Sequence, residues 1–170
     1  IPYPYRYWTG SGREALRQIL FNLGKKRVGV PGYTCKVVLD AVSRSGCKAV
    51  FYDSSVIFDI SDIKKVIKDL DVLVISYNLG FVGDIEKVAA LCKKHNVILI
   101  EDCAQALGVQ VNGQLVGSFG DYAFYSFGMS KNVGFMGGMI ASRERMKLQR
   151  VSPFPLGSLV KAVSEVLVSP

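Results

Sequence analysis

Glu101 and Asp102 close an apolar run, Val97-Ile98-Leu99-Ile100. Lys131 follows Asp102 by 29 positions, in a turn of Gly, Ser, Asn, Phe and Met. A carboxylate at a strand end and a lysine in an apolar, glycine-rich turn suit one chemistry. The lysine amine can hold an aldehyde cofactor as a Schiff base, and the carboxylate can hold a protonated ring nitrogen. Such an amine reacts only when it has lost its proton, and Phe127, Met129 and Phe135 can desolvate it.

Placing these groups needs a scaffold. Strand-like apolar runs begin at Arg27, Ala49, Val72 and Val97, alternating with helix-period segments about every 22 to 26 residues. That rhythm predicts βαβ units and a largely parallel sheet. Ligands in such sheets bind beyond the carboxyl ends of the strands, where Pro31-Gly32-Tyr33-Thr34, Asp53, Asn78 and Asp102 fall. Before the first run, Tyr3 to Thr9 reads as a loop or arm. Ser11 and Glu14 fit a capping box, with Leu16, Ile19, Leu20 and Leu23 at helical spacing and Gly24 as the stop. A helix opened by Gly-Ser-Gly is either ordinarily capped or offers its amides to a phosphate. Gly10-x-Gly12-x-x-Ala15 partly matches a dinucleotide fingerprint, but no apolar strand precedes it and the later acidic residue is missing.

After Asp102 the rhythm changes. Val109 to Val116 alternates around Asn112-Gly113, a two-residue hairpin turn. Tyr122 to Phe127 and Gly138 to Ser142 read as strands on either side of the lysine turn. Arg143 to Val151 reads as a polar helix, and Leu159 to Leu167 as a last amphipathic one. Glu101 is expected to face solvent or pair with a basic residue, and Asp53 to serve structure.

The 170 residues are half hydrophobic with a net charge of +7, the composition of one globular domain. The positive charge favours anionic partners such as phosphates and nucleotides. No basic run or motif marks a nucleic-acid binder, and no apolar run has the ~18 residues of a membrane span. The four cysteines form no CxxC pair and His95 stands alone, so no metal is expected. The thiols read as buried and free in a reducing compartment, the cytoplasm. The chain does not open on Met and reads as a piece of a longer product.

Four segments, in order, resemble the DegT/DnrJ/StrS-type sugar aminotransferases. They are Ser11-Gly12-Arg13-Glu14-Ala15-Leu16, Val30-Pro31-Gly32-Tyr33-Thr34, Ile100 to Gly108 (IEDCAQALG), and Phe124-Tyr125-Ser126-Phe127 with Ser130-Lys131-Asn132. Val116-Gly117-Ser118-Phe119-Gly120-Asp121 matches as well. The resemblance implies a three-layer αβα sandwich with a mixed, mostly parallel sheet, the large domain of a fold-type I enzyme using pyridoxal 5′-phosphate (PLP). It implies that Lys131 holds the cofactor and shuttles a proton, that Asp102 pairs with the pyridine nitrogen, and that Gln105 reaches the 3′-oxygen. Ser126 would bind the phosphate, with Ser11, Gly12 and Arg13 completing the cup; Arg13 stands where the family commonly has Thr. Cys35 occupies the place of the usual ring-stacking aromatic, so Tyr33 is the candidate to stack.

The resemblance further implies an amino-acid donor, glutamate by family habit, a nucleotide-linked keto-sugar acceptor, and a homodimer. Residues 1–151 would form the PLP-binding domain and 152–170 the start of a connection to a C-terminal domain. A dehydratase branch of the family has His in place of this lysine, and Lys131 speaks against it. The alternatives are a non-catalytic remnant of the same fold and a PLP-free nucleotide-binding α/β module.

Overall fold

Alternation of apolar side chains decides the layers. In β4 (Val72–Ser76) every residue is buried, with Val72 and Val74 in one core and Leu73 and Ile75 in the other. That is the signature of a strand covered on both faces. The computed structural model describes residues 3–24, 26–128 and 136–149. Among them a seven-stranded sheet runs in the order β1-β9-β8-β5-β4-β2-β3. Besides β4 its strands are β1 (Tyr5–Thr9), β2 (Arg27–Pro31), β3 (Lys48–Tyr52), β5 (Ile98–Asp102), β8 (Tyr122–Ser126) and β9 (Gly138–Ser142). Only β9 runs against its neighbours. This is the mixed, mostly parallel αβα sandwich expected.

Helices α1 (Gly12–Leu23) and α2 (Lys36–Arg44) cover one face. Leu16, Ile19, Leu20, Val38, Ala41 and Val42 pack there on Val28, Val30, Ile100 and Phe124. Helices α3 (Ile60–Val66) and α4 (Ile85–His95) cover the other, with the segment after β5. Asn112 and Gly113 take the positive φ of the predicted turn between β6 (Gln110–Val111) and β7 (Gln114–Leu115). Among the described residues no helix is long and apolar enough to cross a membrane.

Several expectations are corrected. Tyr5 to Thr9 is the edge strand β1, not a loop, paired in register from Tyr5–Ser142 to Thr9–Gly138. A strand therefore does precede Gly10, although the acidic residue of a dinucleotide site is still missing. Strand β5 extends through Asp102 instead of stopping at Ile100. The amphipathic helix-period segment Ile60 to Leu70 is α up to Val66 and then a 3-10 turn over Ile67–Asp69. Not all thiols are buried: Cys35 is exposed and Cys47 half-buried, while Cys92 and Cys103 are buried. Burial pushes the Cys92 thiol up to about 12 and Cys103 up as well. The last amphipathic helix and residues 152–170 lie outside the described residues.

Residues 143 to 149 are not helical. Their backbone donors are taken by side chains from far upstream. The Met146 amide donates to Tyr7 Oη at 2.8 Å, Lys147 to Asn22 Oδ1 at 3.2 Å and Gln149 to Gln18 Oε1 at 2.9 Å. Glu14 fixes the α1 side of this clasp: it accepts from Arg17 at 2.7 and 2.8 Å and from Gln18 at 2.8 Å. Arg17 in turn donates to Gln149 Oε1 at 3.2 Å.

The hydrogen bond from Arg17 lowers the Glu14 carboxyl below its ordinary value. A carboxyl lowered by folding adds stability that is complete above its unfolded value and disappears as pH falls through the folded one. Acidification through that range should therefore lower the protection factor of the Gln149 amide (its exchange rate corrected for the intrinsic pH dependence) before those of the sheet amides. Glu14→Gln should show the faster exchange already at neutral pH, with the rest of the exchange pattern kept. Equal protection of Gln149 in both chains at neutral pH would contradict this clasp.

Candidate functional site

The parallel strands β1, β2, β4, β5 and β8 all end on one rim of the sheet, and a cavity of about 310 Å³ opens there. Its walls come from segments distant in sequence: Ser11 to Arg13, Thr34 and Cys35, Asn78, Asp102 to Gln105, and Ser126 with Gly128. Leu16, Val38 and Phe124 give it an apolar floor. The N-termini of α1 and α2 both border it, so the positive ends of two helices meet in one hollow.

Helix α1 starts where it does because Ser11 caps it, accepting from the Glu14 amide at 3.2 Å. Its carbonyl accepts from Ala15 at 2.9 Å. The amides of Gly12 and Arg13 have no acceptor within the helix. Two glycines bring this end onto the sheet. A Cβ at Gly12 would lie 2.8 Å from Ser126 Cβ, and one at Gly138 would lie 2.5 Å from the Ser11 carbonyl carbon. The helix N-terminus thus sits directly against β8 and β9, with Ser126 beside it. The reciprocal half of the capping box does not form, because Glu14 turns to Arg17 and Gln18. Arg13 is exposed and lines the cavity.

Asp102 is half-buried at the tip of β5. Its carboxylate accepts from the Ala104 amide at 3.0 Å and from Ser76 Oγ at 3.4 Å, among other interactions. Ser76 Oγ is also 3.4 Å from Thr34 Oγ1. The parallel register sets Ser76 opposite Asp102. Gln105 Oε1 accepts from the Leu79 amide at 3.0 Å, which leaves the amide nitrogen of Gln105 as the group to offer the cavity. Asn78 both lines the cavity and holds its loop, donating to the Tyr33 carbonyl at 3.4 Å. Tyr33 itself is 52% exposed and borders an adjoining hollow that shares Thr34, Cys35, Asn78 and Gln105. The structure thus brings Ser11, Gly12, Arg13, Asp102, Gln105 and Ser126 to one cavity and sets Tyr33 at its edge. Lys131, with Met129 and Phe135, lies outside the described residues.

Sequence reasoning missed three things. Thr34 and Ser76 reach Asp102 as a short hydroxyl chain; the one clue was a Ser ending an otherwise apolar strand. Phe124 is cavity floor. Glu101 does not face solvent and, among the described residues, has no basic partner. It is 0% exposed, on the opposite face of β5 from Asp102. It accepts from Tyr77 Oη at 2.5 Å, from the Gly117 amide at 2.7 Å, and from Phe119 and Gly120 at 2.8 and 2.7 Å. Burial holds its carboxyl above the ordinary value while these donors pull the other way.

If close approach of α1 to the sheet builds the anion cup, Gly138→Ala should break it, because the added methyl meets the Ser11 and Gly12 backbone. The expected result is a stability loss of about 1–3 kcal/mol and loss of inorganic phosphate binding, read by thermal melting with and without phosphate. A variant that melts and binds like the parent would remove this role from the glycine.

The family model for the DegT/DnrJ/EryC1/StrS aminotransferases matches residues 7–161. The chain is 38% identical over 136 residues to a UDP-N-acetyl-3-dehydro-alpha-D-glucosamine 3-aminotransferase of Acidithiobacillus ferrooxidans, an alignment covering 76% of this chain and 37% of the relative. A solved aminotransferase of Psychrobacter cryohalolentis superposes with a TM-score of 0.75 at 28% identity, covering 84% of this chain and 38% of its own. An E. coli GDP-4-keto-6-deoxy-D-mannose-3-dehydratase, solved with bound hydrated PLP, shares the fold at a TM-score of 0.76 and 19% identity, over 84% of this chain and 40% of its own. The chain thus spans about two-fifths of the length of each protein it matches here. Its motifs, its sheet order and the family match agree, and the chain belongs to the DegT/DnrJ/EryC1/StrS aminotransferase family.

Proposed function

We propose that this chain is the cofactor-binding part of a PLP-dependent aminotransferase that moves an amino group from an amino acid, glutamate by family habit, to a nucleotide-linked keto-sugar. The observation that carries the reading is the meeting of Asp102, Gln105, Ser126 and the first turn of α1 around one cavity. The residues suit the cofactor. The Gly12 and Arg13 amides, the Ser126 hydroxyl and the Arg13 guanidinium form a donor-rich cup for a phosphate dianion. Asp102, held by Ala104 and Ser76, presents a carboxylate to a protonated ring nitrogen. Gln105 offers its amide N–H to a phenolate-type oxygen. Phe124, Leu16 and Val38 keep water from one side of the hollow.

When bound, PLP supplies an electron sink for the substrate's α-carbon. Asp102 keeps that sink charged by stabilising a proton on the ring nitrogen. Lys131 would hold the cofactor through its Nζ and, when not bound to it, would carry a proton to or from the substrate. Tyr33 and Leu79 are 52% and 69% exposed beside the cavity, which suits cover by a second copy of the chain, in a homodimer. The net charge of +7 suits an anionic nucleotide diphosphate.

The test is direct. Adding PLP to the chain should produce a visible absorption band, and Lys131→Ala should abolish it. Bound PLP should also shield Cys35 from alkylation, since that exposed thiol lines the cavity, while Cys92 and Cys103 react only on unfolding. Absence of both band and shielding would leave a PLP-free α/β module. Asp102→Asn should retain the band and lower transamination by about 10²-fold or more in the full-length protein. A band without transfer in a coupled glutamate and keto-sugar assay would mean a binding remnant.

A further inference from the structure

We propose that Glu101 is a positioning residue: its buried carboxylate ties together the segments that carry the cavity's functional groups on the opposite face of β5. The inference rests on reading that cavity as the cofactor site.

The geometry is that of an anion inside a nest. The Gly117, Phe119 and Gly120 amides and the Tyr77 hydroxyl all point at it, at 2.5 to 2.8 Å. Four donors and no acceptor converge, so the site is built for the ionised form. The turn approaches this closely because two of its residues lack side chains. A Cβ at Gly117 would collide with Tyr125 Oη and Cys103 Sγ, and one at Gly120 would lie 2.6 Å from the Leu99 carbonyl.

Tyr77 and Gly120 each lead to a part of the cavity. Tyr77 is followed by Asn78 and by Leu79, whose amide fixes Gln105. The Tyr77 amide also donates to the Asp102 carbonyl at 3.2 Å. Gly120 leads through Asp121, whose amide donates to the Leu99 carbonyl at 2.9 Å, into β8 and so to Ser126. Asp102 is the very next residue of β5. Yet Glu101 faces the core under α3 and α4 and touches nothing in the cavity. Its influence on the site passes through the Tyr77 side chain and the backbone.

A carboxylate is needed here because an amide cannot replace it. The Glu101→Gln side chain would have one acceptor oxygen, and its NH₂ would face backbone N–H groups, leaving a buried donor unmatched. The nest must then open, and the three segments shift relative to one another.

The experiment compares Glu101→Gln and Tyr77→Phe with Ile63→Ala in the 170-residue chain. Ile63 is buried in the same core on α3, and truncating it lowers stability without reaching the nest. PLP affinity is titrated at a fixed interval below each variant's melting temperature, and backbone amide NMR shifts are mapped without cofactor. Glu101→Gln is expected to bind PLP about tenfold more weakly than Ile63→Ala. Its amide shifts should change at Asn78, Leu79, Asp102 and Ser126 as well as at 117–120. Tyr77→Phe, which removes one donor and keeps the fold, should show the same pattern in smaller measure, and it decides the matter if Glu101→Gln does not fold. Binding equal to that of Ile63→Ala, or shifts confined to 117–120, would overturn the inference. Should the parent chain take no PLP, the cofactor reading fails by itself, and the cofactor-free shifts alone judge the positioning role.

Discussion

A carboxylate taken wholly out of water loses several kcal/mol of hydration, and only converging donors make that tolerable. Glu101 has those donors, and the fold around the site follows from meeting them. Strand geometry sends successive side chains to opposite faces. One peptide bond therefore separates a buried anchor from a carboxylate that borders a cavity. The anchor can be rigid because it does no chemistry, and Asp102 can be accessible because it need not hold the fold.

On the cavity side the constraint is close approach rather than charge burial. Gly12 meets Ser126, and Gly138 meets the Ser11 backbone, without the methyl that any other residue would interpose. Helix α1 consequently ends at the sheet instead of a side-chain length away. Its first-turn amides, the N-terminus of α2 and the Arg13 guanidinium bring positive charge to one side of the hollow, with the Asp102 carboxylate also lining it. The hydroxyls of Thr34 and Ser76 connect the second helix entrance to Asp102.

Much of this is legible because it is local. The βαβ rhythm, the Ser11 cap and the Asn112-Gly113 turn each depend on a few adjacent residues, and each forms as read. What the pattern misses is non-local. A Glu-Asp pair reads as polar, which puts the end of β5 at Ile100, two residues early. The donors that let Glu101 stay buried lie 16 to 19 residues downstream and in the residue that follows the neighbouring strand. Residues 143 to 149 have helix-forming composition, but their amides are claimed by Tyr7, Gln18 and Asn22. Tyr5 to Thr9 alternates as a strand should, but nearby prolines mask it, and its partner, Gly138 to Ser142, is far off in sequence. The motifs carry the site further than patterning does: they pick out six of the residues that line the cavity, and miss Ser76, whose hydroxyl links Thr34 to Asp102.

The pairing of β1 with β9 sets the timetable of assembly. The outermost strand is made before the other strands of the sheet, but the strand it hydrogen-bonds to is made after them. The same holds for the helix entrance at Ser11–Gly12 and the strands that receive it. On a ribosome, the central strands and α2 to α4 can therefore collapse first, while the opening segment waits unpaired with Trp8, 74% exposed even in the finished fold, in solvent. The α1 N-terminus is seated last, in the same event that closes the sheet, so a product short of Ser142 lacks the strand against which that helix end packs.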